Sequence, residues 1–550
     1  MKGLMQDWPL LVHTVIDHAA QYHGDREIVT RSVEGPIRRT TYKAVHSRAR
    51  KIANALQSLG LGKGDVIATM AWNTDRHLEA WYGIMGLGAV CHTLNPRLFA
   101  EQLVYIANHA EDKVIFVDLT FVPIIEGIAD QLSHLKHVII MCDEAAMPDT
   151  KLKNALCYET LVNAHSDDFK WAKVDENDAC GLCYTSGTTG NPKGVLYSHR
   201  SNVLHALAAN NADALGMRSI DNVLPVVPMF HANAWAIAFA APAVGASLIM
   251  PGAKMDGESI YELLDTEKVS VTAAVPTVWL MLLQHLQSSG KKLPHLNRVV
   301  IGGSAAPRFM VEAFEKDFGV QVFHAWGMTE LSPLGTLGSL KAGMENLPID
   351  KQIDIKIKQG RPVYTVEMKI TDDDGKELAR DGKAFGHLMV RGPAISREYV
   401  KGEGGDILDA DGWFDTGDVA TIDPDGYMTI TDRAKDVIKS GGEWISSIEL
   451  ENVAVGHPEV QEAAVIGIAH PKWDERPLLI VIPAQGKSPT REDILSYMEG
   501  KIAKWWMPDD VVFVDEIPHT ATGKIQKLAL RQTFKDYELP TANLEKGAAE

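Results

Sequence analysis

The sequence predicts an α/β fold: a large N-terminal region with parallel sheets and a β-hairpin or barrel part, followed by a small C-terminal α+β domain. Three observations carry this. Strand-like and helix-like patterns alternate from about residue 40 to 330, the rhythm of a buried parallel sheet. Near 360 the pattern changes to alternating strands with Asp-Gly turns, and after about 436 a short helix–strand–helix–strand unit closes the chain. At 550 residues the chain is too long for one core, so more than one domain is expected.

The elements follow in order. Tyr42, Val45, Ala49, Ile52, Ala53, Leu56 and Leu59 recur at helical spacing, and Gly60 reads as the stop. Strands are expected at 65–71, 112–118, 136–142, 269–275 and 298–303, with a further one in "ACGLCY" ahead of a glycine-rich loop. "VEMKITDDDGKELA" and "VATIDPDGYMTITDR" read as β-hairpins. In the last unit "SIELENVAV" reads as helix, "EAAVIGIA" as strand, 491–504 as helix and "DVVFVDEIP" as strand. The boundaries are set at 1–431, a hinge at 432–436, and 437–550.

Composition is that of an ordinary soluble protein, 45% hydrophobic and 23% charged. A formal net charge of −18 argues against a nucleic-acid partner, while leaving room for a local basic pocket. Cys91, Cys142, Cys157, Cys180 and Cys183 are scattered, which does not look like a disulfide framework. Cys180 and Cys183 form a C-x-x-C without a second ligand pair, and core packing is the plainer reading. "MKGLMQDWPL" lacks the apolar run of a signal peptide. The uncharged stretch from Asn222 to Ala253 is broken by Pro225, Pro228, Pro242, Gly245 and Pro251, so a buried segment beside a pocket is expected, without membrane insertion. The expected location is cytoplasmic.

"YTSGTTGNPKG" (184–194) packs glycines, hydroxyls and Lys193 into one loop at the end of a strand. Backbone N–H groups of such a loop make a concavity for anionic oxygens. It differs from the G-x-x-x-x-G-K-[ST] loop, because Gly187 and Gly190 are three apart and Asn191 and Pro192 stand between the second glycine and Lys193. A P-loop phosphotransferase is therefore disfavoured.

The order "YTSGTTGNPKG", "PMFHANAW" (228–235), "GGSAAP" (302–307), "AWGMTE" (325–330), "WFDTGD" (413–418), "DRAKDVIKSGGEWIS" (432–446) and "TATGKIQK" (520–527) resembles the acyl-adenylate-forming superfamily. That family comprises acyl-CoA synthetases, luciferases and peptide-synthetase adenylation domains. The resemblance spans almost the whole chain and implies a C-terminal domain that swings. It implies ATP, coenzyme A and Mg²⁺ as cofactors and a small carboxylic acid as substrate. Acyl-AMP and pyrophosphate form first; then the CoA thiol displaces AMP.

By the same resemblance, Lys524, His231 and Lys193 are the catalytic candidates. Thr185, Ser186, Gly187, Thr188, Thr189, Gly190 and Lys193 hold the departing phosphates. Gly302, Gly303, Ser304, His324, Ala325, Trp326, Thr329, Asp418, Arg433, Lys435 and Lys439 serve the nucleotide, with Trp326 where the family commonly has tyrosine. Glu330 and Thr185 would hold the metal, since Mg²⁺ takes one or two carboxylates plus substrate phosphates. His231, Trp235, Gly303 and Pro333 belong to the acyl pocket, and Ser440, Gly441, Gly442, Glu443 and Trp444 to the thiol channel. Lys435 stands at the hinge.

"PMFHANAW" and "AKWWMPDDVVF" fit the fatty acyl-CoA synthetase branch, so short- or medium-chain acids and 3-(methylthio)propionate are the implied substrates. Long-chain acids, transfer to a carrier protein, luciferase-like oxidation and a non-catalytic nucleotide-binding regulator are the alternatives. "RGPAISREY" (391–399) departs from the family by lacking glycine before Tyr399. The oligomeric state stays open, a homodimer included.

Overall fold

The computed structural model describes residues 1, 3–185, 191–441, 443–519 and 525–542, the side chains of Glu443 and Trp444 excepted. Among the described residues, two large sheets dominate the N-terminal region. In the seven-stranded sheet, Val66–Met70, Val114–Val117, His137–Ile140 and Val90–Thr93 pair in parallel, and Ala179–Tyr184 joins beside Val90–Thr93. In the nine-stranded sheet, Asn222–Pro225, Val271–Ala274, Arg298–Ile301 and Gln321–Gly327 lie side by side in parallel. The helix from Tyr42 to Ser58 starts with the Thr41 hydroxyl accepting from the Ala44 N–H and buries Tyr42, Val45, Ala49, Ile52, Ala53 and Leu56. Gly60, with φ +78°, lets the chain leave it.

The uncharged stretch folds as strand Asn222–Pro225, turn Ala232–Ala236, helix Ile237–Val244 and strand Ser247–Met250, nearly all buried. No described helix is long and apolar enough to cross a membrane. Cys180 and Cys183 are buried within their strand.

Glu367–Thr371, Phe385–Arg391, Phe414–Ile422 and Met428–Arg433 form a four-stranded antiparallel sheet. Its last two strands are the hairpin expected at Asp423–Gly426, where Gly426 has φ +88°. The expected partner strand in "GKELA" is reduced to one bridge between Thr371 and Glu377. Glu367–Thr371 pairs instead with Phe385–Arg391, because the polar run between them is poor strand material.

The C-terminal sheet starts at Ile438, four strands in a path with Asp510–Phe513 added in parallel. Ser447–Val455 is helical as expected. The helix expected over 491–504 stops at Met498, since Glu499 is extended and Gly500 takes φ +73°.

Candidate active site

The glycine loop connects two antiparallel strands, Ala179–Tyr184 and Gly194–Ser198, with Tyr184 facing Gly194. Its ends are clasped: the Thr185 N–H donates to the Lys193 carbonyl at 2.8 Å, and the Lys193 N–H donates to the Thr185 hydroxyl at 3.2 Å. This is a hairpin connection rather than a strand-to-helix turn, which explains why its lysine is spaced differently from the G-K-[ST] loop. Ser186, Gly187, Thr188, Thr189 and Gly190 lie outside the described residues.

Beside the clasp opens a cavity of about 670 Å³ lined by Thr185, Lys193, His231, Trp235, Gly302, Gly303, Ala325, Trp326, Thr329, Glu330, Pro333, Arg433 and Lys435 among others. It sits at the carboxyl ends of the parallel strands, where loops gather. Sequence reasoning placed all thirteen of these in the site. It did not name Leu215, Val300, Leu334, Tyr399, Asp406 and Asp415, which also line it. The apolar three come from separate elements that only the tertiary fold brings together. Tyr399 was visible only as the end of the departing "RGPAISREY".

The lining carries charges of both signs. Lys193 makes no ion pair among the described residues; its ammonium sits 5.0 Å from the Tyr399 ring centroid. Glu330 is only 5% exposed and accepts one hydrogen bond, from the Tyr399 hydroxyl at 2.6 Å. No cationic side chain pairs with it among the described residues. A nearly buried carboxylate with one neutral donor is costly without a cation. Glu330, with the Thr185 hydroxyl on the same lining, therefore fits a hard cation.

The wall formed by Gly302, Gly303 and Trp326 is built by close approach. A Cβ on Gly302 would lie 2.9 Å from the Trp235 ring, and one on Gly303, which has φ +83°, 2.9 Å from Val275. The Trp326 N–H donates to Asp418 at 2.9 Å, and the Arg433 guanidinium pairs with the same carboxylate at 2.8 Å. Asp418 stands just behind the lining, 3% exposed. His324 is buried under the wall, accepting from the Ala306 N–H and pairing with the Ile357 carbonyl. Burial holds its imidazole down at about 4, so it is a neutral strut. It and Ser304 do not line the cavity.

Trp235 is aimed by an unusual turn. Ala232, Asn233, Ala234, Trp235 and Ala236 all have positive φ, from 43° to 67°. Left-handed turns cost L-residues roughly 1–2 kcal/mol each. Small alanines limit the crowding, and the Asn233 amide is tied to Asn202 at 3.1 Å.

The C-terminal residues are divided. Lys435 reaches the cavity, whereas Lys439, Ser440 and Gly441 do not line it. Ser440 is buried and accepts from Arg476, and Gly441 bonds the Trp473 carbonyl. Gly442 and Lys524 lie outside the described residues, as do the side chains of Glu443 and Trp444.

The family model of AMP-binding enzymes matches residues 16–400, and the model of their C-terminal domain matches 449–524. The chain belongs to the AMP-binding enzyme family.

Within this family it falls in the acyl-CoA synthetase branch. It is 51% identical over 98% of its length to a 3-methylmercaptopropionyl-CoA ligase of Ruegeria lacuscaerulensis, 99% of which is covered. It is 48% identical over 99% of its length to a medium-chain-fatty-acid–CoA ligase of Ectopseudomonas oleovorans, again 99% covered. Among solved structures, an anthranilate CoA ligase in complex with anthranoyl-AMP superposes with a TM-score of 0.85 at 26% identity, covering 96% of this chain and 99% of that one. The mixed α/β architecture with a separate C-terminal sheet is that of adenylate-forming enzymes.

Proposed function

We propose that this AMP-binding enzyme is an ATP-dependent acid–CoA ligase whose substrates are short- and medium-chain acids, 3-(methylthio)propionate foremost. The observation that carries the reading is the near full-length identity to ligases named for such acids, together with a cavity whose inner wall is apolar at Leu215, Val300 and Leu334. A carboxylate oxygen attacks the α-phosphorus, the bond to the β-phosphate oxygen breaks, and pyrophosphate leaves. The CoA sulfur then attacks the acyl carbon, its proton passes to solvent, and AMP leaves.

In this reading the clasped loop and Lys193 hold the β- and γ-phosphates. Trp326, Gly302 and Gly303 take the adenine face, and Asp418 with Arg433 the ribose. Lys524 adds positive charge at the α-phosphate. Such preorganised charge lets two anions meet, a large effect in a water-poor site. Mg²⁺, held by Glu330 and Thr185, would neutralise phosphate charge when bound. His231 and Trp235 shape the acyl entrance.

The chain divides at 432–436 into residues 1–431 and 437–550, with Lys435 at the hinge. Rotation about it would bring Ser440 to Trp444 to the cavity as a thiol channel. The cytoplasmic location read from the sequence suits substrates such as ATP and CoA.

The test is a panel of acids from acetate to decanoate with 3-(methylthio)propionate and benzoate, reading AMP release with and without CoA. The proposal expects the highest kcat/KM between three and about ten carbons, with turnover dependent on CoA. Best turnover on long-chain or aryl acids, or AMP release indifferent to CoA, would overturn it.

A further inference from the structure

The segment from Ala394 to Gly405 was notable in the sequence for its departure at "RGPAISREY", and it wraps the phosphate end of the cavity. It is bonded to the Glu330 turn at two points. The Ser396 N–H donates to the Glu330 carbonyl at 2.8 Å, and the Ser332 hydroxyl donates to the Ala394 carbonyl at 2.8 Å. Farther along, it is pinned to the helix Ala100–Ala110: the Tyr105 hydroxyl donates to Glu403 at 2.7 Å, and His109 lies 3.6 Å from the same carboxylate. His109 in turn pairs with the Tyr184 hydroxyl at 2.6 Å, at the foot of the glycine loop. Val400 packs against Gly194, where a Cβ would lie 3.1 Å from its methyl group.

Tyr399 stands in the middle of this brace with two contacts of different chemistry. Its hydroxyl donates to Glu330 at 2.6 Å. Its ring face meets the Lys193 ammonium, 5.0 Å from the centroid. Gly404, with φ +80°, lies beside both groups, where a Cβ would come within 2.8 Å of that ammonium and 3.8 Å of the ring. One buried side chain thus touches both groups that the proposed function assigns to the phosphates and their cation.

We infer that Tyr399 is a positioning residue for adenylation, its hydroxyl orienting Glu330 and its ring seating Lys193. This rests on the phosphate and cation roles given to those two residues above. A hydrogen bond and a cation–π contact act through separate atoms, so they can be removed separately. Thioester formation does not use the departing phosphates, so it is expected to be spared.

Tyr399→Phe keeps the ring and removes the hydroxyl; Tyr399→Leu removes both. Each is compared with wild type by acid-dependent pyrophosphate release, by thioester formation from supplied acyl-AMP and CoA, and by calorimetric ATP binding across a Mg²⁺ titration. For Tyr399→Phe, adenylation falls about tenfold, the Mg²⁺ concentration for half-maximal ATP affinity rises several-fold, and thioester formation stays within twofold. For Tyr399→Leu, ATP binding weakens further even in EDTA. A Phe variant with wild-type Mg²⁺ dependence and adenylation overturns the assignment. So does equal loss of both half-reactions with a lowered Tm, which marks a merely structural residue. A wild type that binds no ATP overturns the reading of the site itself, a result distinct from either.

Discussion

Lys193 and Glu330 carry opposite charges on one cavity wall, yet neither forms an ion pair among the described residues. Each is held by Tyr399 and left open toward the cavity. Lys193→Met should lower acid-dependent pyrophosphate release by about 10²–10³, the usual cost of removing one preorganised donor. Single-turnover release with saturating acid checks this; a loss under threefold would contradict it.

His324 makes a second prediction at this scale. Its imidazole titrates at about 4 when folded and near 6.5 when unfolded, burial being the cause. Between those values the unfolded chain binds a proton that the folded chain does not, so this group's stability is lost as pH falls through that window. His324→Gln should be less stable than wild type at pH 7, and the gap should narrow by roughly 2 kcal/mol at pH 5. Denaturant melts at both values check it; a constant gap contradicts it.

Most polar lining residues were legible because each stood in a motif. The Trp326–Asp418 bond was not read, although a buried indole N–H needs a partner and Asp418 was already named. His324 and Ser304 were read as serving the nucleotide, and neither lines the cavity; a motif fixes position along the chain and not which face a side chain takes.

Among elements, the strands Val66–Met70, Val114–Val117, His137–Ile140, Ala179–Tyr184, Val271–Ala274 and Arg298–Ile301 were legible because a parallel strand buried on both faces is a short apolar run, whereas neighbours such as Val90–Thr93 and Gln321–Gly327 were not read. The turn Ala232–Ala236 was not legible either. Its residues contain no glycine, and alanine prefers the right-handed helix, so local propensity points away from what tertiary contacts enforce. The same holds for Leu215, Val300 and Leu334, whose meeting in one wall depends on the fold and leaves no local mark.

The turn's purpose is visible in what it presses on. A Cβ at Gly302 would meet the Trp235 ring at 2.9 Å and the Ala325 carbonyl at 3.0 Å. The carbonyl is backbone and cannot yield, so Trp235 must move. Gly302→Ala is expected to raise the acid KM tenfold or more, with a smaller change in ATP KM. Steady-state kinetics with both substrates varied checks this, and unchanged acid KM would contradict it.

At the scale of the whole molecule, the segment 432–436 is tied to the C-terminal region by a buried polar cluster. Asp432, on the last strand of the four-stranded sheet, accepts from the Ser447 N–H at 2.9 Å and from its hydroxyl. Lys527 lies between Glu451 at 2.9 Å and Asp432 at 4.0 Å, and Arg531 pairs with Asp436 at 2.7 Å. The strand ends at Arg433 and the next sheet begins at Ile438, so the Asp432 contacts span the segment proposed as the hinge.

Lys524, in the same C-terminal region, is expected to serve only one half-reaction. Lys524→Ala should lose most adenylation while still converting supplied acyl-AMP and CoA to thioester. Equal loss of both would contradict its role.

The proposed reaction requires that ATP be opened at its α-phosphorus by an acid. The most direct measurement is phosphorus NMR of ATP incubated with the enzyme, Mg²⁺ and 3-(methylthio)propionate, before and after CoA is added. The account predicts AMP and pyrophosphate, acid-dependent and accelerated by CoA. The appearance of ADP and inorganic phosphate instead would contradict it.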